Sequence, residues 1–307
     1  MADRTHPLDD RWLRSHPLPV PDEAADKNSR GRVLAIGGSR TVPGGIQLTV
    51  EAALRAGAGK IQVATIKRAA PALGIAMPEV AVFAMPENAA GEIALRDGAG
   101  LSALLGKCDA VVAGPAMTDA KAASRITGHL LKASETQLVL DAAMLMDLSR
   151  HAARLRTLTR PAVLTPHIGE LAAMLACDAD EIERDRLAAV QNASEHFGAV
   201  CVLKGATSLI AAPDGQVFAY TGGGVGLATG GSGDVLAGIV AGLCARGTAP
   251  LDATLWAVWL HGEAGRLCAE QIGPIGFLAR ELLAHVPGLM RTPDGTERGR
   301  SKTRTSL

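Results

Sequence analysis

The sequence predicts an α/β fold in one domain, a mostly parallel central sheet covered by helices on both faces. Three observations point there. Short β-like runs alternate with alanine-rich helical stretches along most of the chain. The β-like runs, such as "RVLAIGG", "DAVVAGP" and "VCVLKG", are almost continuously apolar, the pattern of strands buried on both faces. No linker rich in Gly, Pro or Ser divides the chain, and no internal repeat of about 20–50 residues occurs.

Residues 1–30 read as an arm with little structure of its own, 31–290 as the domain, and 291–307 as a polar, disordered tail. Within the domain, "RVLAIGG" is a strand ending in glycines and residues 47–56 are a helix. "KIQVAT" and "EVAVFAM" are strands, and "DAVVAGP" is a strand followed by a helix near 121–133. "TQLVLDA" and "PAVLTPH" are strands, the second running into a helix that starts near Gly169. Residues 180–196 are helical and "AVCVLKG" is a strand. "SLIAAP" and "QVFAYT" flank the dipeptide "DG", a hairpin signal. Helical stretches near 234–246, 251–270 and 276–285 complete the domain.

Composition excludes several classes. Hydrophobic residues make up 48% of the 307, but aromatics only 3%, so the core is built from Ala, Val, Leu and Ile. Lys plus Arg and Asp plus Glu number 31 each, a formal charge of zero, which gives no electrostatic reason to expect nucleic acid or an anionic membrane as partner. The five cysteines (Cys108, Cys177, Cys201, Cys244 and Cys268) never form a CxxC pair and read as small buried hydrophobes in a reducing compartment. The charged, proline-broken start "MADRTHPLDDRWLRSHPLPVPDE" has no apolar signal core. The longest apolar helical run, 235–245, is far short of the roughly 20 residues of a membrane span. A cytoplasmic protein is the expectation.

In an open parallel sheet, ligands bind outside the carboxyl ends of the strands, and the chemically suggestive motifs fall there. The first is "GLATGGSGDVLAGIVAGL", residues 226–243. A helix starting near Gly233 leaves its first N–H groups unpaired and partly positive. Bare glycines let an anion approach them closely, so Gly231, Ser232 and Gly233 read as an anion hole for phosphate. A carboxylate there, Asp234, would repel phosphate unless it has another task, and accepting the proton of an attacking hydroxyl is such a task. The plain alternative is a glycine turn capped by Asp234.

In "LTPHIGE", His167 and Glu170 are three apart at a strand-to-helix junction and can share one helix face. Glu170 could order a hydrated Mg²⁺ and His167 could hydrogen-bond a polar substrate; equally, both could serve only the helix start. "LKGATS" brings Lys204, Gly205, Ala206, Thr207 and Ser208 directly after a strand, a set able to hold nucleotide phosphates or ribose. "IGGSRTVPGG", residues 36–45, resembles a phosphate loop but lacks the GK[ST] of the Walker pattern and is not GxGxxG. "AGPAM" reads as a turn after a strand. Asp141, ending "LVLD", and His261 in "WLHGEAG" could line the site but read better as structural, with Gly262 allowing close packing.

Taken together and in order, "GRVLAIGGS", "EAALRAGAGKIQVAT", "DAVVAGP", "LVLDA", "VLTPHIGE", "VCVLKGATSLIAAPDG", "GLATGGSGDVLAGIVAGL" and "WLHGEAG" resemble the ADP/ATP-dependent (S)-NAD(P)H-hydrate dehydratases of the ribokinase-like superfamily, over roughly residues 27–290. The resemblance implies a ribokinase-like three-layer α/β/α sandwich. It implies a repair enzyme that phosphorylates the C6 hydroxyl of hydrated NADH or NADPH at the expense of ADP or ATP and then eliminates phosphate. It makes Asp234 the catalytic base and a substrate contact, with Gly45, Gly114 and His167 also on the hydrate, residues 204–208 and Gly233 on the nucleotide, and Glu170 organising Mg²⁺ through water. A separate epimerase as partner and a homotetramer are implied as well. Two departures stand out. The family's GPGLG is "GPAMT" here, Gly114 to Thr118, and its Gly-Ala is Gly44-Gly45; the bulkier Ala116 and Met117 are expected to narrow backbone access to the ligand. The fold also suits a small-molecule kinase for hydroxymethylpyrimidine or hydroxyethylthiazole, or a nucleotide-binding regulator without catalysis. "TPHIGE" with "WLHGEAG" favours the dehydratase over the kinase, and an intact Asp234 argues against the regulator.

Overall fold

The computed structural model describes residues 5–291 except 21, 23, 25, 96–98, 133 and 134; the expected tail beyond 291 lies outside the described residues. Ten strands form one sheet: β1 (Thr5–Pro7), β2 (Arg32–Ile36), β3 (Lys60–Ile66), β4 (Ala81–Met85), β5 (Ala110–Ala113), β6 (Gln137–Leu140), β7 (Val163–Leu164), β8 (Val200–Leu203), β9 (Thr207–Ala211) and β10 (Val217–Thr221). Their order across the sheet is β1-β10-β9-β8-β7-β6-β5-β2-β3-β4. Only β9 runs against its neighbours, because "DG" turns the chain back into β10 as the hairpin signal predicts. β5, β6 and β8 are buried at every position, as continuous apolar runs require. The expected mostly parallel α/β sheet is therefore present.

Two apolar layers sandwich the sheet. On one face Val33, Val63, Val112, Val139 and Val202 pack under the helices Gly45–Arg55, Ser232–Ala245 and Pro250–Gln271. On the other, Leu34, Val111, Leu140, Leu164 and Leu203 meet the helices Ala120–Leu130, Ile168–Leu175 and Arg186–Phe197. The helices Gly45–Arg55 and Ser232–Ala245 touch so closely that a Cβ on Gly238 would collide with the Thr49 carbonyl. Strand order reverses between β2 and β5, and the crevice at such a switch point is where open α/β sheets bind ligands.

The structure corrects four expectations. The arm is not structureless. β1 pairs in parallel with β10, Asp9 caps a helix at Asp10–Ser15, and Leu8, Leu13 and Leu18 enter the core. A three-residue strand carries no periodic signal of its own and forms here because β10 supplies a paired edge. The expected helix 180–196 is two helices, Ala179–Arg184 and Arg186–Phe197. Asp185 leaves helical geometry at φ −144°, ψ 76° and its side chain caps the second, a competition with the backbone typical of Asp. The helix expected at 276–285 is also split, into Ala279–Leu282 and Val286–Leu289: Leu278 N–H is taken by the Glu281 carboxylate, and Pro287 starts a fresh turn. Finally, Ala70–Ala76 and Ala99–Leu105 are helices in stretches read only as connections. All five cysteines are free; four are buried as expected and Cys177 is only half-buried, and burial pushes the Cys201 and Cys244 thiols up to about 12.

Candidate active site

The carboxyl ends of β2, β5, β6, β7 and β8 and two helix starts converge on one rim. The helix Ser232–Ala245 begins after Gly231, which sits at φ +90° and supplies no side-chain cap. Ser232 N–H donates to the Thr229 carbonyl at 3.2 Å, and no side chain takes the other first-turn N–H groups, which keep their share of the helix dipole. Asp234 lies in this turn. A Cβ on Gly45 would be 3.4 Å from Asp234 Oδ2, and one on Gly233 would be 3.4 Å from Lys204 Nζ. The predicted anion hole, the predicted base and the predicted Lys are thus neighbours.

Beneath them, three carboxylates surround one ammonium. Lys204 Nζ donates to Asp141 Oδ1 at 3.1 Å and lies 3.7 Å from Glu170 Oε2. Asp141, 3% exposed, also accepts from Thr165 Oγ1 at 2.7 Å. Burial pulls the Lys204 ammonium down, but Asp141, Glu170 and Asp234 outweigh it and hold its pKa above the usual value. For Asp234, burial and then the Asp141 charge, with Glu170 adding and Lys204 opposing, push the carboxyl up to about 7. A carboxyl titrating there is suited to take up and release a proton at neutral pH.

The start of the helix Ile168–Leu175 is built differently. His167 is its N-cap: Nδ1 accepts from Gly169 N–H at 3.0 Å and from Glu170 N–H at 3.3 Å. Glu170 Oε2 accepts His167 N–H at 2.8 Å, closing a capping box. With Nδ1 an acceptor, the ring proton resides on Nε2, and the side chain is 60% exposed. Among the described residues, no group of three His, Cys, Asp or Glu side chains could hold a metal ion.

The remaining predicted residues fall around this cluster. A Cβ on Gly114, at φ +110°, would collide with the Asp141 carbonyl, so the strand-end turn needs glycine. Gly205 and Ala206 are exposed beyond Lys204, and Thr207 and Ser208 enter β9. Ser232 is 6% exposed, its hydroxyl 2.9 Å and its carbonyl 3.0 Å from His261 Nε2. Burial pushes the His261 pKa down to about 4, so a neutral ring donates to the Ser232 carbonyl and steadies the open turn. Gly262 packs on the Tyr220 ring as expected. Met117 does not narrow the site; it is 3% exposed, in the core. Asp141, which the sequence places at the sheet edge but which reads better as structural, is brought into the cluster as the partner of Lys204, 63 residues away; Arg186, whose Nη2 donates to the Thr207 carbonyl at 3.0 Å, had no readable signal.

Known proteins resemble this chain along most of its length. Residues 33–287 match the family described as NAD(P)H-hydrate dehydratase. An ADP-dependent (S)-NAD(P)H-hydrate dehydratase of Xanthomonas campestris pv. campestris is 45% identical over 285 residues, covering 92% of this chain and 96% of that one. Bifunctional NAD(P)H-hydrate repair enzymes also match, and this chain spans about half their length. Among solved structures, the ADP/ATP-dependent NAD(P)H-hydrate dehydratase of Bacillus subtilis, co-crystallised with ATP/Mg²⁺, superposes with a TM-score of 0.78 at 28% identity, covering 94% of this chain and 98% of that one. A ribokinase-like superfamily protein of Enterococcus faecalis gives 0.79 at 27%, covering 94% and 96%. The fold is ribokinase-like, and the chain belongs to the NAD(P)H-hydrate dehydratase family.

Proposed function

We propose that this chain is a hydro-lyase that restores (S)-NADH or (S)-NADPH hydrate to the reduced dinucleotide, using ADP or ATP. The observation that carries the mechanism is the carboxyl of Asp234, raised to about 7 at a helix start that no side chain caps. The C6 hydroxyl of the hydrate gives its proton to Asp234 as its oxygen attacks the terminal phosphorus of the nucleotide, and the bridging P–O bond breaks to release AMP from ADP or ADP from ATP. The N–H groups at Gly231 and Gly233 and the Lys204 ammonium offset charge on the transferred phosphoryl group, while Ser232, its N–H held by the Thr229 carbonyl, braces the turn. The phosphate ester then loses phosphate from C6 and a proton from C5, re-forming the C5–C6 double bond.

Residues 204–208 and Gly233 would hold the nucleotide, with Arg186 fixing the strand entry at Thr207. Gly45, Gly114 and His167 would face the hydrate. Magnesium usually keeps several waters and binds through one or two carboxylates plus substrate phosphates. The Mg²⁺ would arrive with the nucleotide phosphates, with Glu170 reaching it through water. Family membership favours the dehydratase over a small-molecule kinase of the same fold.

The reading includes a cytoplasmic location, a homotetramer and a separate epimerase supplying the S form. No helix among the described residues is long and apolar enough to cross a membrane. The edge strand β4, with Phe83 exposed and Ile75 nearby on the surface, offers a face for self-association. The relatives named bifunctional repair enzymes, about twice this length, support a second, complementary activity elsewhere. Incubation with hydrated NADH and ADP tests the central reading: reduced-nicotinamide absorbance returns and AMP accumulates. A stable phosphorylated hydrate without NADH would identify a kinase, and no turnover would leave a binding protein.

A further inference from the structure

Ala116, in the loop after β5, sits at φ +58°, in the left-handed region that residues with a Cβ avoid. The loop is held there from several sides. Gly38 N–H donates to the Pro115 carbonyl at 2.9 Å and Met117 N–H to the Gly114 carbonyl at 3.0 Å. Thr118 N–H and its hydroxyl both donate to Oε1 of the buried Glu92, at 2.7 and 2.6 Å. Strained residues persist where the surroundings over-determine them, and they cluster at functional sites.

The neighbour of the Ala116 methyl gives the strain a purpose. Across the crevice, Gly45 opens the helix Gly45–Arg55. A Cβ on Gly45 would fall 2.6 Å from Ala116 Cβ, 3.3 Å from Val42 Cγ1 and 3.4 Å from Asp234 Oδ2. The space between the two backbones thus admits one methyl, which Ala116 supplies; a second methyl, on Gly45, would meet both Ala116 and Asp234. These are also the positions of the two sequence departures: Gly45 lacks a methyl and Ala116 carries one.

We propose that Ala116 and Gly45 form one steric unit, in which a single methyl seats the start of the helix Gly45–Arg55 against the β5 loop and sets the clearance for the hydrate beside Asp234. Ala116 is a positioning residue, acting through the Gly45 backbone. The kinetic half of this proposal rests on the dehydratase reading; the steric half does not.

A double-mutant cycle tests it, with Gly45→Ala, Ala116→Gly and the pair made in the full chain. Each is measured for thermal midpoint and for KM and kcat toward hydrated NADH and ADP. Gly45→Ala alone should lower the midpoint and raise KM for the hydrate by about tenfold, the scale of one methylene in a tight pocket, while KM for ADP moves less. Adding Ala116→Gly should return both quantities to those of Ala116→Gly alone, within about twofold in KM. Additive changes in midpoint would overturn the steric unit. Coupled midpoints with an unchanged hydrate KM would overturn its role in the site. If the wild-type chain does not turn over the hydrate, the dehydratase reading and the kinetic half fall together, and the midpoint cycle still decides the steric half.

Discussion

Two helix starts share this rim, and their side chains are used in opposite ways. At Ile168–Leu175, His167 and Glu170 satisfy the first N–H groups and each other's backbone. At Ser232–Ala245 the N-cap position is Gly231, and no side chain takes the first-turn donors. Asp234, which could have folded back onto its own backbone as a cap, instead stands beside Gly45 with its carboxyl raised to about 7. A finished helix start is a structural part; the open one is where the proposed anion site lies. The difference also relocates the functional burden. Nδ1 of His167 and Oε2 of Glu170 are committed, and His167 Nε2 lies 3.5 Å from Glu170 Oε1, so a ligand reaching either of these two atoms meets them as a pair.

The comparison breaks first, and by most, at Asp234. Asp234→Asn keeps size and capping ability but cannot accept a proton, so turnover of hydrated NADH should fall by at least about two orders of magnitude. ADP affinity, measured by titration calorimetry, should hold, and the thermal midpoint should not fall. If Asp234 were merely a cap, all three would be nearly unchanged.

Next in size is the nucleotide loop. Thr207→Trp should weaken ADP binding well before hydrate binding, because bulk enters beside Lys204 and the Arg186 contact to the Thr207 carbonyl; unchanged ADP binding in calorimetry would remove 204–208 from the nucleotide site.

The finished start gives a smaller effect of another kind. His167→Ala removes a cap, a loss of about 0.5–2 kcal/mol, and should lower the thermal midpoint by a few degrees. His167→Asn should restore the midpoint as a replacement cap. If Nε2 also contacts the hydrate, KM for the hydrate rises in both variants and KM for ADP in neither. Recovery of KM by Asn would make His167 a cap only.

The smallest expected effect is on the pH dependence of stability. The folded-state pKa of Asp234 is raised from 3.8 to about 7, so between those values the folded chain binds more protons than the unfolded one. Its contribution then decreases stability as pH rises through that window. Asp234→Asn should flatten this slope in urea unfolding monitored at several pH values; a steeper decline in the variant would contradict the raised pKa.

Much of this could be read from residue order. Apolar runs ending in Gly, Asp141, "TPH" or "KG" located the strands and put their carboxyl ends on one rim. "GGSGD" marked a helix start rich in glycine. What could not be read depends on groups distant in sequence. β1 exists because β10 offers an edge. Asp141 meets Lys204 only after β6, β7 and β8 align. The capping box was visible as His167 and Glu170 three apart, but which of their atoms would be consumed was not. Nor does a local pattern show that Ala116 and Gly45 share one space.

The most direct test of the open helix start as a site of base catalysis is the pH profile of kcat/KM for hydrated NADH at saturating ADP. That quantity reports ionisations of the enzyme form that meets the hydrate. The raised carboxyl predicts a rate that climbs with pH as Asp234 loses its proton, with a midpoint near 7, and a limb that disappears in Asp234→Asn. A wild-type profile flat from about pH 5 to about pH 9, or a limb that survives in the variant, would contradict the assignment of Asp234 as the base.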